Sequence, residues 1–421
     1  MEDFQIHTLS NGLRLLYRPS THSNVSHVGF TINVGSRDDA ALPGTAHCFE
    51  HMLFKGTEKR KAWQIINRLD NVGGEMNAFT TKEITVLYAS IINPYLERAI
   101  ELLSDLCFHS NFPKKELEKE KKIIAEEINM YLDTPEENIY DEFQEMVFKG
   151  HSLAPNILGS PESLNAINSE HLLAFHKTYY HPENIVLTVG SSLPFKQIIK
   201  WAEKHCNVVH HTAENIKRAA FKHYQVQQQQ KSTEHVQCHA ILGQPAYAQQ
   251  DPKRLGLMLL NNILGGPGMN SRLNISVRER MGYTYNVESG YSAFRDTGLF
   301  HCYLSTDFKN LHKAVDLVKK EMLQLKNKAL SPVQLSHAKN QFNGQISLSE
   351  ENRMNVLLMM GRHLAQGYPI ESLEQVIQAV NAISAQSLQE IANEIFDLDK
   401  ISYLAYVSEW FRTKHLWQTN C

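Results

Sequence analysis

Two stretches of this chain, 216 residues apart, repeat one pattern without a gap. Ile167-Asn-Ser-Glu-His-Leu172, running on to the apolar stretch 185–189, matches Ile383-Ser-Ala-Gln-Ser-Leu388, running on to 401–405. Each reads as an amphipathic helix followed by a strand. Earlier in each half, His47-Cys-Phe-Glu-His-Met-Leu-Phe-Lys-Gly56 lines up with Leu257-Met-Leu-Leu-Asn-Asn-Ile-Leu-Gly-Gly266, again a helix ending at glycine. Repetition on this scale restricts the fold to one architecture built twice. At 421 residues the chain is long enough for each copy to bury its own core.

Short apolar strands alternate with long amphipathic helices. Strands are expected at about 13–17, 28–34, 84–92, 185–189 and 235–242, and helices at about 44–54, 61–72, 95–107, 113–131, 137–148, 169–180 and 252–264. This is an α+β pattern. Between 206 and 233 it collapses into His210-His211, a polar stretch and Gln227 to Gln230, with too few large apolar groups to pack a core element. The expected organisation is a domain over 1–205, a linker over 206–233 and a homologous domain over 234–421.

Composition removes several classes of partner. Lysine plus arginine (42) against aspartate plus glutamate (45) gives a net charge of −3 with the signs mixed, so no basic footprint points to nucleic acid. No apolar run approaches the roughly 18 residues of a membrane span. The opening Met1-Glu-Asp-Phe-Gln is acidic where a secretory signal is basic and then apolar, so a cytoplasmic location is expected. Cysteines at 48, 107, 206, 238, 302 and 421 form no CxxC pair and read as reduced thiols.

The chemistry concentrates in Gly44-Thr-Ala-His47-Cys-Phe-Glu50-His51. Pro43 and Gly44 mark a helix start. On a helix, positions i and i+4 are about 40° apart and i+3 lies about 60° from i, so both imidazoles and the Glu50 carboxylate enter one small volume. Two neutral imidazoles there chelate a divalent ion, and Glu50 is placed to take a proton from a water. His-x-x-Glu-His is the inverted form of the zinc-protease motif. In the second half the aligned positions are Leu257, Leu260 and Asn261, so only the first half carries this chemistry.

Two histidines leave a metal short of its usual third protein ligand. The helix expected at 113–131 offers several glutamates, which sort by angle at about 100° per residue. With Glu127 at zero, Ile123, Ile124, Met130 and Tyr131 all fall within about 60° of it, which puts Glu127 at the centre of the buried stripe. Glu120 lies about 20° away on the same stripe, whereas Glu126 is at its edge and Glu118 opposite. Glu127 is the best candidate ligand and Glu120 a second inward carboxylate that supports it.

With these residues in view, the sequence resembles the pitrilysin family of inverted-zincin metallopeptidases, in particular the half-size members similar to mitochondrial processing peptidase. The resemblance rests on His47-Cys-Phe-Glu50-His51, Ile123-Ile-Ala-Glu-Glu127-Ile-Asn-Met, Gly73-Gly-Glu-Met-Asn77-Ala-Phe-Thr-Thr-Lys-Glu and a second-half segment from Ser271 to Tyr285. It implies two domains, each a mainly antiparallel sheet flanked by helices. It implies one zinc ion per chain held by His47, His51 and Glu127, with Glu50 activating the water and Glu120 supporting the site. Asn77, Ala78 and Phe79 fall where such proteins pair an edge strand with the substrate backbone.

Read alone, the segment 271–285 is a basic helix entering an aromatic strand. The resemblance assigns Arg278 and Tyr285, seven residues apart, to the substrate and the transition state, with Tyr283 a neighbour and Arg272 an anchor. A guanidinium and a phenol are suitable donors to a developing oxyanion. The implied activity is hydrolysis of unfolded peptides in an enclosed chamber made of four such domains. Both residue sets occur in this one chain, so a homodimer is expected, with a heterodimer with a paralogue as the other arrangement. The alternative function is a non-catalytic or partner-dependent subunit of a heterodimeric peptidase.

Overall fold

Strand pattern and turn chemistry build the same sheet twice. The computed structural model describes residues 4–208 and 217–408, so His210, His211 and Cys421 lie outside the described residues. The strands are β1 (Gln5–Thr8), β2 (Arg14–Pro19), β3 (Val25–Ile32), β4 (Glu75–Thr80), β5 (Thr85–Ile92), β6 (Ile185–Ser191), β7 (Gln228–Thr233), β8 (Cys238–Ala246), β9 (Thr284–Ala293), β10 (Gly298–Thr306) and β11 (Ser402–Ser408). One sheet has the order β1-β2-β6-β3-β5-β4 and the other β7-β11-β8-β10-β9. Apart from the extra β1 the two orders correspond strand for strand. In each sheet one pair is parallel, β2 with β6 and β7 with β11, and the rest are antiparallel.

The helices follow the same duplication. They are α1 (Thr45–Leu53), α2 (Ala62–Asp70), α3 (Leu96–His109), α4 (Lys114–Leu132), α5 (Pro135–Val147), α6 (Pro161–Ala166), α7 (Ser169–Tyr179), α8 (Phe195–Cys206), α9 (Arg254–Gly265), α10 (Leu311–Asn327), α11 (Pro332–Ser349), α12 (Arg353–Gln366), α13 (Leu373–Ala382) and α14 (Ala385–Ile395). The repeat spacing of 216 carries the bounds of α7 onto those of α14, and the short turn Pro182–Asn184 onto Leu398–Lys400. Both helices begin at side-chain caps: Asn168 accepts from the Glu170 and His171 N–H groups, and Ser384 from that of Ser387.

The division into units differs from the expected 1–205, 206–233 and 234–421. The first unit takes the chain up to Asn129, then Pro155–Arg218 and Leu348–Ser372. The second takes Met130–Ala154, Ala219–Ser347 and the chain from Leu373 onward. Helix α12, from the second half of the sequence, therefore belongs to the first unit, where Val356, Leu357 and Met360 pack with Leu16 and Val186. Gly361 permits that approach, since a Cβ there would sit 2.9 Å from Thr31 Oγ1. Helix α5 belongs to the second unit, where Ile139, Phe143 and Val147 pack with Ile241, Leu299 and Leu404. Periodicity marks an apolar face on each helix but not the sheet that covers it. The expected linker also holds β7, whose side chains at 228–232 are exposed and add nothing to a core while its backbone pairs with β11.

The five described cysteines are free and buried, each in a different element. Among the described residues no helix is long and apolar enough to cross a membrane.

Candidate metal centre

Helix α1 presents the histidine pair, and its start is fixed from outside the helix. Gly44 has φ 90°, the left-handed region, and a Cβ there would lie 2.6 Å from the Leu158 carbonyl oxygen. Asp39 accepts the Gly44 and Ala46 N–H groups, both at 2.8 Å, through its two carboxylate oxygens. It thereby satisfies donors that the first turn leaves free. Burial pushes the Asp39 carboxyl up to about 7 against the pull of those two bonds.

One turn later His47 and His51 stand edge to face, with ring centroids 4.7 Å apart. Helix α4 brings Glu127 against them: its Oε2 lies 3.8 Å from His47 Nε2 and 3.5 Å from His51 Nε2. Among the described residues these three side chains form a group able to hold a metal ion, with their ligand atoms within 4.8 Å of one another. Tetrahedral zinc with bonds of about 2.0–2.1 Å sets its ligand atoms roughly 3.3–3.5 Å apart, close to the separations found. His47 is 8% exposed, and burial, aided by His51, lowers its pKa to about 3. Its imidazole is neutral at physiological pH and keeps a lone pair for a ligand bond. Its Nδ1 is buried and, among the described residues, has no hydrogen-bond partner. The donor set of two nitrogens and one carboxylate suits zinc.

Glu120 stands behind this group. One carboxylate oxygen lies 3.2 Å from His51 Nδ1 and the other 2.6 Å from Lys55 Nζ. A proton on Nδ1 then donates to Glu120 and leaves Nε2 free to face Glu127, the arrangement that orients metal-binding histidines. Glu120 is 4% exposed, whereas the Glu127 side chain is 27% exposed. The buried stripe of α4 runs through Leu117, Glu120, Ile124 and Ile128. Glu127 sits at the edge of that stripe, not at its centre, because Ile123 and Met130 are exposed on its other side.

Glu50 shares the helix face. Burial raises its pKa above the ordinary carboxylate value, the Thr80 hydroxyl bond and His51 pull it back, and the nearby Glu127 charge adds to the rise. A carboxylate shifted upward is a stronger proton acceptor than an ordinary one. Thr80 ends β4, the outer strand of its sheet. Asn77, Ala78 and Phe79 lie within β4, paired to β5 on one side only. Asn77 Oδ1 accepts the Ala78 N–H at 2.8 Å. Lys55, Thr80 and Asp39 are not among the residues that the sequence patterns single out. The sequence signal for Lys55 is its position at i+4 from His51, and Thr80 falls inside the segment that begins at Gly73.

In the second unit Arg278 lies in the helical turn Asn274–Glu279, exposed and 3.7 Å from Glu279. Tyr285 is exposed on β9, while Tyr283 is half-buried against the core of that unit and Arg272 lies 3.7 Å from Glu321.

Residues 14–161 match the family described as Insulinase (Peptidase family M16), and residues 166–342 match the Peptidase M16 inactive domain. The second match contains Leu257, Leu260 and Asn261, the positions aligned with the histidine motif. An uncharacterized zinc protease of Bacillus subtilis is 30% identical over 404 residues, covering 93% of this chain and 96% of its own length. An uncharacterized zinc protease of Streptomyces coelicolor is 32% identical over 365 residues, covering 84% of this chain and 79% of its own. The crystal structure of a protease from Helicobacter pylori shares the fold with a TM-score of 0.89 at 21% identity, over 96% of this chain and all of that one.

Proposed function

Because the chain belongs to the M16 (insulinase) peptidase family, we propose that it is a zinc-dependent endopeptidase or oligopeptidase acting on unfolded peptides. The observation that carries this reading is the convergence of His47, His51 and Glu127 with Glu50 on the same face of α1. One zinc ion per chain, held by these three side chains, would supply Lewis acidity, lowering the pKa of a water and polarising the scissile carbonyl. Glu50 takes a proton from the attacking water and returns it to the leaving amine. Glu120 and Lys55 hold His51 in its tautomer. The edge of β4 grips the peptide backbone by strand addition, which makes few demands on side-chain identity. Asn77 must then swing off the Ala78 amide to admit the substrate strand. Arg278 and Tyr285 supply donors to substrate carbonyls.

We further read the active form as a cytoplasmic homodimer that encloses the peptide. Support comes from the presence of both residue sets in one chain, where a partner-dependent subunit would lack one of them. The test of the catalytic reading is Glu50→Gln. The amide keeps the shape but cannot accept a proton, so hydrolysis of a fluorogenic peptide should fall by about 10²–10⁴-fold. Zinc content should stay stoichiometric. Retained hydrolysis would refute the assignment of the base, and loss of zinc would make Glu50 a ligand.

A further inference from the structure

The outer strands of the two sheets occupy equivalent places, yet only one is regular. β4 pairs with β5 in unbroken register from Glu75 opposite Ser90 to Thr80 opposite Thr85. In β9 the register slips: Asn286 is opposite Ser305, but Thr284 is opposite Thr306. Tyr285 is thus an extra residue with no counterpart on β10, a β-bulge that re-aims its side chain. Tyr285 and Asn286 are both exposed as a result, Tyr285 to 87%. A phenol so exposed has little side-chain packing to hold it. Its direction is set by the backbone beneath.

That backbone is fastened by threonine hydroxyls. Thr284 is buried, and its Oγ1 lies within hydrogen-bond distance of both the Ser305 and Asn286 carbonyls, the latter at 2.6 Å, so that its single proton is shared between them while the oxygen accepts the Asn286 N–H at 3.0 Å. From the facing strand the Thr306 hydroxyl donates to the Tyr283 carbonyl. Upstream, the Tyr283 N–H donates to the Val277 carbonyl at 3.1 Å and the Gly282 N–H to the Arg278 carbonyl at 2.9 Å. The bulge and the turn that bears Arg278 are therefore one hydrogen-bonded piece.

We propose that Thr284 is a positioning residue for peptide hydrolysis, its hydroxyl holding the bulge that aims Tyr285 at the substrate. This rests on the reading that Tyr285 contacts the substrate. Valine matches threonine in shape but offers no hydroxyl. Thr284→Val leaves the Asn286 N–H without its acceptor and the Ser305 and Asn286 carbonyls without the proton they share, and favours relaxation toward regular pairing, which turns the tyrosine away. Misplacing a substrate-positioning group by about 1 Å can cost on the order of a hundredfold in rate.

The experiment uses the full-length zinc-loaded protein, steady-state kinetics on a fluorogenic peptide and amide hydrogen exchange. Thr284→Val should lower kcat by about tenfold or more with KM within about threefold, and Thr284→Ser should restore kcat to within about twofold. The double variant with Tyr285→Phe should be no slower than Tyr285→Phe alone, since both changes remove one function. The Asn286 amide should exchange faster in the valine variant and not in the serine variant, with zinc content unchanged in both. The proposal is overturned if the two substitutions multiply, if serine is as impaired as valine, or if Asn286 protection is unaltered. An impaired Tyr285→Phe beside a normal Thr284→Val removes this proposal alone. Normal kinetics in Tyr285→Phe would remove the underlying reading of that tyrosine as well.

Discussion

Glu120→Gln separates support of a metal ligand from ligation itself. The carboxylate faces His51 Nδ1 at 3.2 Å and Lys55 at 2.6 Å, and it is almost wholly buried. The amide preserves volume and can still accept a proton from His51, so the change converts a charge-assisted hydrogen bond into a neutral one. Hydrogen bonds to charged groups contribute about 1.5–3 kcal/mol and neutral ones about 1, a difference of about 0.5–2 kcal/mol. The middle of that range corresponds to about tenfold in a dissociation constant. Lys55 also loses its counter-charge one turn from the ligand, which adds to the loss. The expected zinc Kd is about 10–30 times higher, within the range for outer partners of metal ligands. Competition against a chromophoric chelator at fixed pH and salt measures it, with circular dichroism to verify the fold. A Kd within twofold of the native value would refute the supporting role. A loss equal to that of Glu127→Gln would make Glu120 a ligand.

Three further outcomes are expected. Glu127→Gln should weaken zinc beyond the roughly hundredfold ceiling of an outer partner, while Glu126→Gln, exposed on α4, should leave affinity unchanged in the same titration. Asp39 has a folded pKa of about 7, above its unfolded value of about 3.9, so its contribution to stability is complete below pH 4 and lost as pH rises through 7. The melting temperature of the native protein minus that of Asp39→Asn should therefore decrease between pH 5 and 8, and a constant or growing gap would count against it. If sites form in trans, mixing Glu50→Gln and Arg278→Ala chains should restore roughly a quarter of native activity after random exchange. Activity no greater than the sum of the separate variants, or a fully active monomer by light scattering, would exclude that assembly.

The parts of the site legible in sequence are those fixed by helix geometry. His47, Glu50 and His51 follow from residue spacing on one helix, and α4 brings Glu127 against them, though from the edge of its buried stripe and not from the centre where the angular count put it. The duplicated α7-to-β6 and α14-to-β11 segments were readable for the same reason, since local periodicity determined both. What escaped depends on neighbours distant in sequence. β7 is held by backbone pairing along β11, which needs no apolar side chains, so a glutamine-rich stretch gave no strand signal. The true centre of the α4 stripe shifted because Ile123 and Met130 face outward, which apolar identity alone cannot report. Asp39 and Thr80 reach the site from a preceding turn and an edge strand, at separations that periodicity does not connect.

The placement of α12 sets the order in which the protein can be finished on the ribosome. Every residue of the metal group precedes Ile128, yet the sheet of the first unit is covered by a helix that ends at Gln366. Translation at about 5–20 residues per second puts roughly 8–32 seconds between emergence of α8, which ends at Cys206, and completion of α12. During that interval the face bearing Leu16 and Val186 has no cover, while α5 has already emerged without the sheet it packs on. A nascent chain in this state presents two apolar surfaces at once, the condition under which chaperone capture competes with aggregation. A gene fragment ending at residue 205 would make that interval permanent.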